Sequence, residues 1–364
     1  MYLKWFAWAA GGFIAFELLQ LPLRKKNSKG IFVLMFVIKF MAAIVVAYCS
    51  IAINNRFVWN LGYLPAAFYG VLLSGAITDL AALVLLLFRK KDLKVSAVMA
   101  VSLFITAAFM IYGTVNMQTI VPKEHSYTSD KLKGEYKIVF LADLHYGSAQ
   151  SPKTVEKALI DIREIKPDLI LLGGDITDER TTAEEMRQIY KQLGKLGAPT
   201  FFFYGNHDRQ NHGDYLGGAK YTPDELVKAI EGNGIKILKD ELQMWGDDLA
   251  ILGRENDEEG PGRAEVSRLP KLPPDRYVIC VDHSPYLEDD IKATGADLQL
   301  SGHTHAGQFF PLRYVYRLGV NNIYGDYKLG GTDLYVSSGI TGWYFPFRTE
   351  AHCNYEVITL SKTP

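Results

Sequence analysis

The chain changes its hydrophobic rhythm once, near residue 116. Before that point, apolar residues run in blocks long enough for a bilayer core, which takes about 20 residues as helix. Four such blocks are predicted as spanning helices, roughly 3–23, 31–53, 65–88 and 95–115. A run such as "AALVLLLF" is too apolar for a half-exposed surface helix. Residues 116–135 read as a linker and a first strand. From residue 136 to 364 the pattern becomes short apolar run, polar turn and amphipathic helix, repeated. "YKIVFLA", "DLILLGG", "PTFFFYG", "DRYVICV" and "ADLQLSG" read as five buried strands. "SPKTVEKALIDIREIKP", "TTAEEMRQIYKQLGKLG" and "TPDELVKAIEGNG" read as helices, with Ser151 and Thr222 as caps. "IKIL", "LQMWGDDLAILG", "DLYVSSG" and "NYEVITL" add strands, some of them in hairpins. The order predicts an α/β domain with parallel pairing and a second, more mixed sheet, preceded by an all-α membrane bundle.

Charge follows the same division. Residues 1–120 carry a net charge of +8 and the remainder −9. An acidic domain lacks the basic face that nucleic-acid phosphates require, so no nucleic-acid partner is expected. Basic turns stay in the cytoplasm. Arg24, Lys25, Lys26 and Lys29 follow the first block, and Arg89, Lys90, Lys91 and Lys94 follow the third, against only Arg56 after the second. This contrast places everything after Val115 on the outer face of the membrane. Glu17, Lys39 and Asp79 are costly in lipid and are expected to face other helices, pairing with one another or lining a site. Cys49, Cys280 and Cys353 show no metal-binding spacing and read as buried small side chains.

The chemistry lies where the five strands end. They end in turn with Asp143 and His145; with Asp175; with Asn206, His207 and Asp208; with His283; and with His303 and His305. Five of the eight histidines fall at such ends, and open α/β sheets form their sites at the carboxyl ends of strands. In extended chain, side chains two apart point the same way. "DLH" and "HTH" should therefore each present two ligands together, with Leu144 and Thr304 turned away. Imidazoles mixed with carboxylates and an amide oxygen suit Mn²⁺, Fe²⁺ or Zn²⁺ and not Ca²⁺. There are too many ligands for one tetrahedral ion, and two ions sharing a carboxylate fit the count.

The blocks "DLH", "GGDITD", "GNHD", "DHSP" and "SGHTHAGQ", in this order, resemble the calcineurin-like metallophosphoesterase superfamily, over about residues 136–360. The nearest likeness is to bacterial membrane-associated phosphoesterases in which "SGHTH" is followed by a Gly-Gln pair, here Gly307–Gln308. The resemblance implies a four-layer αββα sandwich. It also implies that Asp143, His145 and His305 hold one divalent ion, that Asn206, His283 and His303 hold a second, and that Asp175 bridges them. It implies a hydrolase in which His207 works on the substrate and Asp208 orients it. Asp282 reads either as a partner of a ligand or as a plain strand-end acid.

The substrate class stays open between phosphodiester, phosphomonoester and pyrophosphate. The membrane blocks favour a lipid-linked substrate and the bilayer itself as partner. "FFPLRYVYRLG" (309–319) and "GWYFPFR" (342–348) mix aromatics with Arg313, Arg317 and Arg348, which suits a rim dipping into headgroups; packing within the second sheet is the alternative. The polar loop 254–274 reads as a lid or a surface loop. An anchored enzyme for soluble substrates and a non-catalytic membrane sensor are the competing readings.

Overall fold

A computed structural model of the chain describes residues 2–26, 28–51, 64–88, 93–211, 217–256 and 262–364. The Arg56 turn and Arg89–Lys91 lie outside the described residues. The chain divides into two units, residues 1–116 with 345–349, and residues 117–344 with 350–364.

The first unit is helical: α1 (Tyr2–Arg24), α2 (Lys29–Ile51), α3 (Leu64–Phe88) and α4 (Val95–Gln118), whose last two residues belong to the second unit. Four spans were expected. Among the described residues, three helices are long and apolar enough to cross a membrane, namely Lys29–Ser50, Leu64–Phe88 and Val95–Gln118. The α1 helix matches them in length, but it holds Lys4, Glu17 and Arg24 and a proline, Pro22, near its end. The buried charges of this unit pair with one another. Arg24 Nη1 lies 2.5 Å from Glu17, Lys39 Nζ lies 2.5 Å from Asp79, and all four side chains are buried. Residues 345–349 belong to this unit because Phe347 packs its ring against Tyr69 and Phe109. A Cβ at Gly113 would overlap that ring, so the glycine makes room for it.

The second unit holds two six-stranded sheets. The strands are β1 (Ile120–Thr128), β2 (Tyr136–Leu141), β3 (Leu169–Leu172), β4 (Thr200–Phe202), β5 (Ile235–Ile237), β6 (Glu241–Trp245), β7 (Leu249–Gly253), β8 (Tyr277–Val281), β9 (Leu298–Ser301), β10 (Gly325–Leu329), β11 (Thr332–Val336) and β12 (Cys353–Ser361). One sheet runs β1-β12-β2-β3-β4-β5 and the other β10-β11-β9-β8-β7-β6. β2, β3, β4 and β5 pair in parallel, as do β7, β8, β9 and β11. The central strands β3, β8 and β9 are therefore buried on both faces, which explains their continuous apolar runs, while the edge strand β5 leaves Lys236 exposed. Period-two alternation sends Ile138 and Phe140 to the inner core, where they join Ile279, Val281, Leu298 and Leu300 of the other sheet. It sends Val139 and Leu141 outward to the helices α5 (Pro152–Ile165), α6 (Ala183–Leu193) and α7 (Pro223–Glu231). The other sheet covers its outer face with Ala296, Leu269 and Leu272, and with Ile291 of α8 (Glu288–Thr294). The result is the expected αββα order of layers.

The helices start where their capping signals stand. Ser151 accepts from Thr154 N, and Thr182 and Thr222 each close a capping box with Glu185 and Glu225. Such caps fix the start of each helix and so the length of the loop between strand end and helix, which is where the site is built. Cys280 and Cys353 are buried, Cys353 Sγ donating to Met117 O at 3.5 Å, and Cys49 is half-buried.

Candidate dimetal centre

The carboxyl ends of β2, β3 and β4 in one sheet and of β8 and β9 in the other bring all the expected site residues to one edge. Asp143, His145 and His305 form one group, and Asp175, His283 and His303 a second; within each group the candidate donor atoms lie within 4.8 Å of one another. Asn206 joins the second group through its Oδ1, 2.9 Å from His303 Nδ1. Asp175 stands against both, with Oδ2 3.1 Å from His283 Nε2 and 3.7 Å from His145 Nε2.

The backbone that achieves this is not extended. Asp143, His145, Asp175, His303 and His305 all take positive φ, between 41° and 71°. Each sits in a tight left-handed turn beyond its strand, a strained conformation that concentrates at functional sites. The alternation expected of "HTH" therefore fails, and His303 and His305 go to different groups. Asp143 and His145 do share a group, but through turns rather than through strand pleating. Leu144 enters the core and Thr304 donates to Ile323 O. Glycine is required at two approaches: a Cβ at Gly205 would overlap the Asp175 carboxylate, and one at Gly302 the Asp143 carboxylate.

The donor set fits metal ions. His305 Nε2 faces Asp143 Oδ1 at 3.7 Å and His283 Nε2 faces it at 4.0 Å, too long for hydrogen bonds. His145 Nε2 and His305 Nε2 face each other at 3.3 Å. The buried His283 Nε2 has Asp175 Oδ2 beside it at 3.1 Å, while its Nδ1 lies 2.8 Å from Gly173 O and so aims Nε2 into the cluster. Burial pushes the Asp143 carboxyl up against the pull of His283. Burial acts on Asp175 in the same sense, but His283 and His207 outweigh it and hold that carboxyl well below its usual range. Burial and the neighbouring His283 push His303 down to about 3, leaving a neutral imidazole. Burial alone would lower the His283 pKa, but Asp175 overrides it and pushes it up to about 10. Buried carboxylates beside imidazoles are the donor types of a cation site.

His207 lies between the groups and beyond them. Its ring centroid is 5.5 Å from that of His145 and 5.6 Å from that of Trp343, and its side chain keeps 12% of its surface exposed. The carboxylate that holds it is Glu179, which was not among the expected residues, and not Asp208. Burial alone would lower the His207 pKa, but Glu179 raises it well above the ordinary value. Asp208 has a different task. Its two oxygens accept from the backbone N–H groups of Asp175, Ile176, Thr177 and Gly205, tying the β3 turn to the β4 turn. Asp282 is a partnered acid, paired bidentately with Arg263 at 3.0 and 2.6 Å. Of the loop 254–274, residues 257–261 lie outside the described residues; its first residues are held by Arg209–Glu255 and Arg254–Asp240 pairs.

The calcineurin-like phosphoesterase pattern matches residues 136–307. The uncharacterized metallophosphoesterase YkuE of Bacillus subtilis is 32% identical over 238 residues, covering 63% of this chain and 80% of that protein. The chain belongs to the calcineurin-like phosphoesterase family. An uncharacterized metallophosphoesterase of Campylobacter jejuni is 29% identical over 297 residues, covering 78% of this chain and 76% of its own length. A transmembrane protein with metallophosphoesterase domain from Danio rerio is 27% identical over 284 residues, covering 72% of this chain and 62% of that protein. The chain spans 60% of the length of an uncharacterized Helicobacter pylori metallophosphoesterase that is 30% identical to it. Calcineurin-like phosphoesterases use a dimetal centre, and the two side-chain groups are candidates to hold one.

Proposed function

We propose that this protein is a dimetal phosphoesterase that hydrolyses a phosphodiester, phosphomonoester or pyrophosphate bond in a membrane-associated substrate. The observation that carries the reading is the pair of three-residue groups joined by Asp175, with His207 held beside them by Glu179. Asp143, His145 and His305 would hold one ion, Asn206, His283 and His303 the other, and Asp175 would touch both. Two divalent ions, Mn²⁺, Fe²⁺ or Zn²⁺, supply Lewis acidity for the phosphoryl oxygens and an activated water at neutral pH. With Glu179 on Nδ1, the His207 proton available to a substrate is the one on Nε2. That proton is placed to reach the leaving oxygen, the role of a general acid.

Three apolar helices support membrane attachment, and relatives from Danio rerio and Bos taurus are named transmembrane proteins. A tethered enzyme gains most when its substrate shares its bilayer, which favours a lipid-linked phosphoester over a soluble one. We place the catalytic unit outside the cytoplasm. Lys25, Lys26 and Lys29 are exposed between α1 and α2, and a cytoplasmic position for them leaves three crossings before β1, whether or not α1 itself crosses.

The test is hydrolysis of bis-p-nitrophenyl phosphate and of vesicle-borne phosphoesters by the purified full chain, with metal analysis. Turnover lost on chelation and restored by Mn²⁺ or Zn²⁺ is expected. A protein that binds two metal ions and hydrolyses none of these would be a sensor and not an enzyme.

A further inference from the structure

Among the described residues, the second unit exposes seven large hydrophobic side chains. Five of them, Tyr286, Leu287, Phe310, Tyr314 and Leu318, belong to two segments that border the metal groups. Tyr286 sets its ring 5.3 Å from that of His303. The segment 309–319 begins directly after His305–Gln308. Phe309, Pro311 and Leu312 are buried and anchor it, while Phe310, Tyr314 and Leu318 stand out at 39, 49 and 88% exposure. They recur every fourth residue: Tyr314 lies in the short helix α9 (Leu312–Tyr316), and Phe310 and Leu318 in the turns on either side of it. Phe310 and Tyr314 already meet edge to face at 6.1 Å. Asn322 Nδ2 donates to Pro285 O, and Asn321 and Asn322 both donate to Glu288, so the two exposed segments are fastened to each other.

We propose that this patch is a bilayer-docking rim, in which Phe310, Tyr314 and Leu318 enter the membrane interface beside the mouth of the metal site. The occupant follows from the chain's own connectivity. Only Thr119 separates the last apolar helix from β1. Arg313 of the rim pairs at 3.6 Å with Glu350, the first residue after the 345–349 segment that belongs to the helical unit. The second unit is therefore tethered closely to apolar helices, and aromatic side chains with arginine are what membrane interfaces favour. The expected second rim segment, 342–348, is instead mostly buried, with Phe345, Phe347 and Arg348 enclosed in the helical unit. The docking is apolar in nature. Arg317 is exposed on the rim, but Asp289 is fully exposed beside Leu287, so attraction to anionic headgroups is offset.

The inference gives the membrane-borne substrate proposed above a route to the site and rests on that reading. Its test needs no turnover, so the two can fail separately. The full chain with Cys49→Ser is given a single reactive cysteine by Leu318→Cys or Phe310→Cys, with Lys236→Cys as the exposed control on β5. Each is labelled with a bimane dye and placed in nanodiscs containing lipids spin-labelled near the headgroup. Quenching at 318 and 310 at least threefold above that at 236, unchanged between 50 and 500 mM salt, is the expected result. Quenching equal at all three sites would overturn the proposal. So would protection of 318 that accompanies a dimer in detergent, since the patch would then be covered by a second copy.

Discussion

Glu179 grips His207 through both carboxylate oxygens, 2.8 and 2.9 Å from Nδ1. The pair fixes the ring and leaves Nε2 as the proton-bearing atom towards substrate. It also means that the sequence neighbour Asp208 has no need to orient the histidine, and Asp208 serves instead to hold two backbone turns together.

Glu179→Gln should therefore keep the hydrogen bond but lose the charge that keeps His207 protonated. The expected loss in kcat is about 10- to 100-fold, the usual cost of removing a partner behind a working side chain. His207→Ala should cost about 10²–10⁴-fold. In both variants the metal content should stay at two, and the loss should shrink for p-nitrophenyl esters, whose leaving group needs no proton. Equal losses with good and poor leaving groups would leave the pair a purely electrostatic role.

Asp175 approaches histidines of both groups, His283 at 3.1 Å and His145 at 3.7 Å, whereas Asp143 reaches His305 at 3.7 Å and His283 only at 4.0 Å. Asp175→Asn should abolish nearly all turnover and lower metal content below that of any other single-ligand variant. Because bound ions stabilise only the folded state, saturating metal at about 1,000 times Kd should add about 4 kcal/mol to its stability. Differential scanning calorimetry with and without chelator reads that shift. Full activity and two metal ions in Asp175→Asn would remove the residue from the centre.

What the sequence made legible was the set of strand ends, because each ligand stands in a short block fixed to the end of an apolar run. The strands themselves were legible because parallel pairing buries both faces, leaving no polar interruption in "LILL" or "YVICV". What was not legible depends on turns and on distant packing. The positive φ of Asp143, His145, His303 and His305 separates the two histidines of "HTH", and an alternating-strand argument cannot foresee that. Glu179 was missed because its only signal is being one more acid in "GGDITDE", and its partner lies 28 residues away. The segment 342–348 read as one aromatic stretch, yet Trp343 lies beside His207 while Phe347 packs on Tyr69 and Phe109. Nothing local in "GWYFPFR" marks that division.

The orientation of the catalytic unit can be read chemically. Ser126 is exposed on β1. In Ser126→Cys, with Cys49→Ser to remove the half-buried thiol, an impermeant maleimide should label intact cells. Labelling that appears only after lysis would put the unit in the cytoplasm and reverse the role given to Lys25, Lys26 and Lys29.

The buried charges of the helical unit make the last prediction. Arg24 contacts Glu17 at 2.5 Å and Asp79 at 3.4 Å, Lys39 contacts Asp79 at 2.5 Å, and Ser102 donates to Glu17 at 2.8 Å. Two cations and two carboxylates balance, and they join α1, α2, α3 and α4 through side chains that have no access to water. Removing one partner leaves an uncompensated charge, which costs about 3–5 kcal/mol in a buried pair, whereas replacing both partners with apolar groups is often close to neutral. Asp79→Leu alone should therefore strongly lower the unfolding midpoint of the full chain in detergent. Asp79→Leu with Lys39→Met should recover much of it, but not all, because Arg24 also faces Asp79. The coupling between the two substitutions, taken from a double-mutant cycle, should exceed about 1 kcal/mol. Simple additivity would mean that the helices are held by apolar packing and that the four charges are placed there for some purpose other than mutual neutralisation.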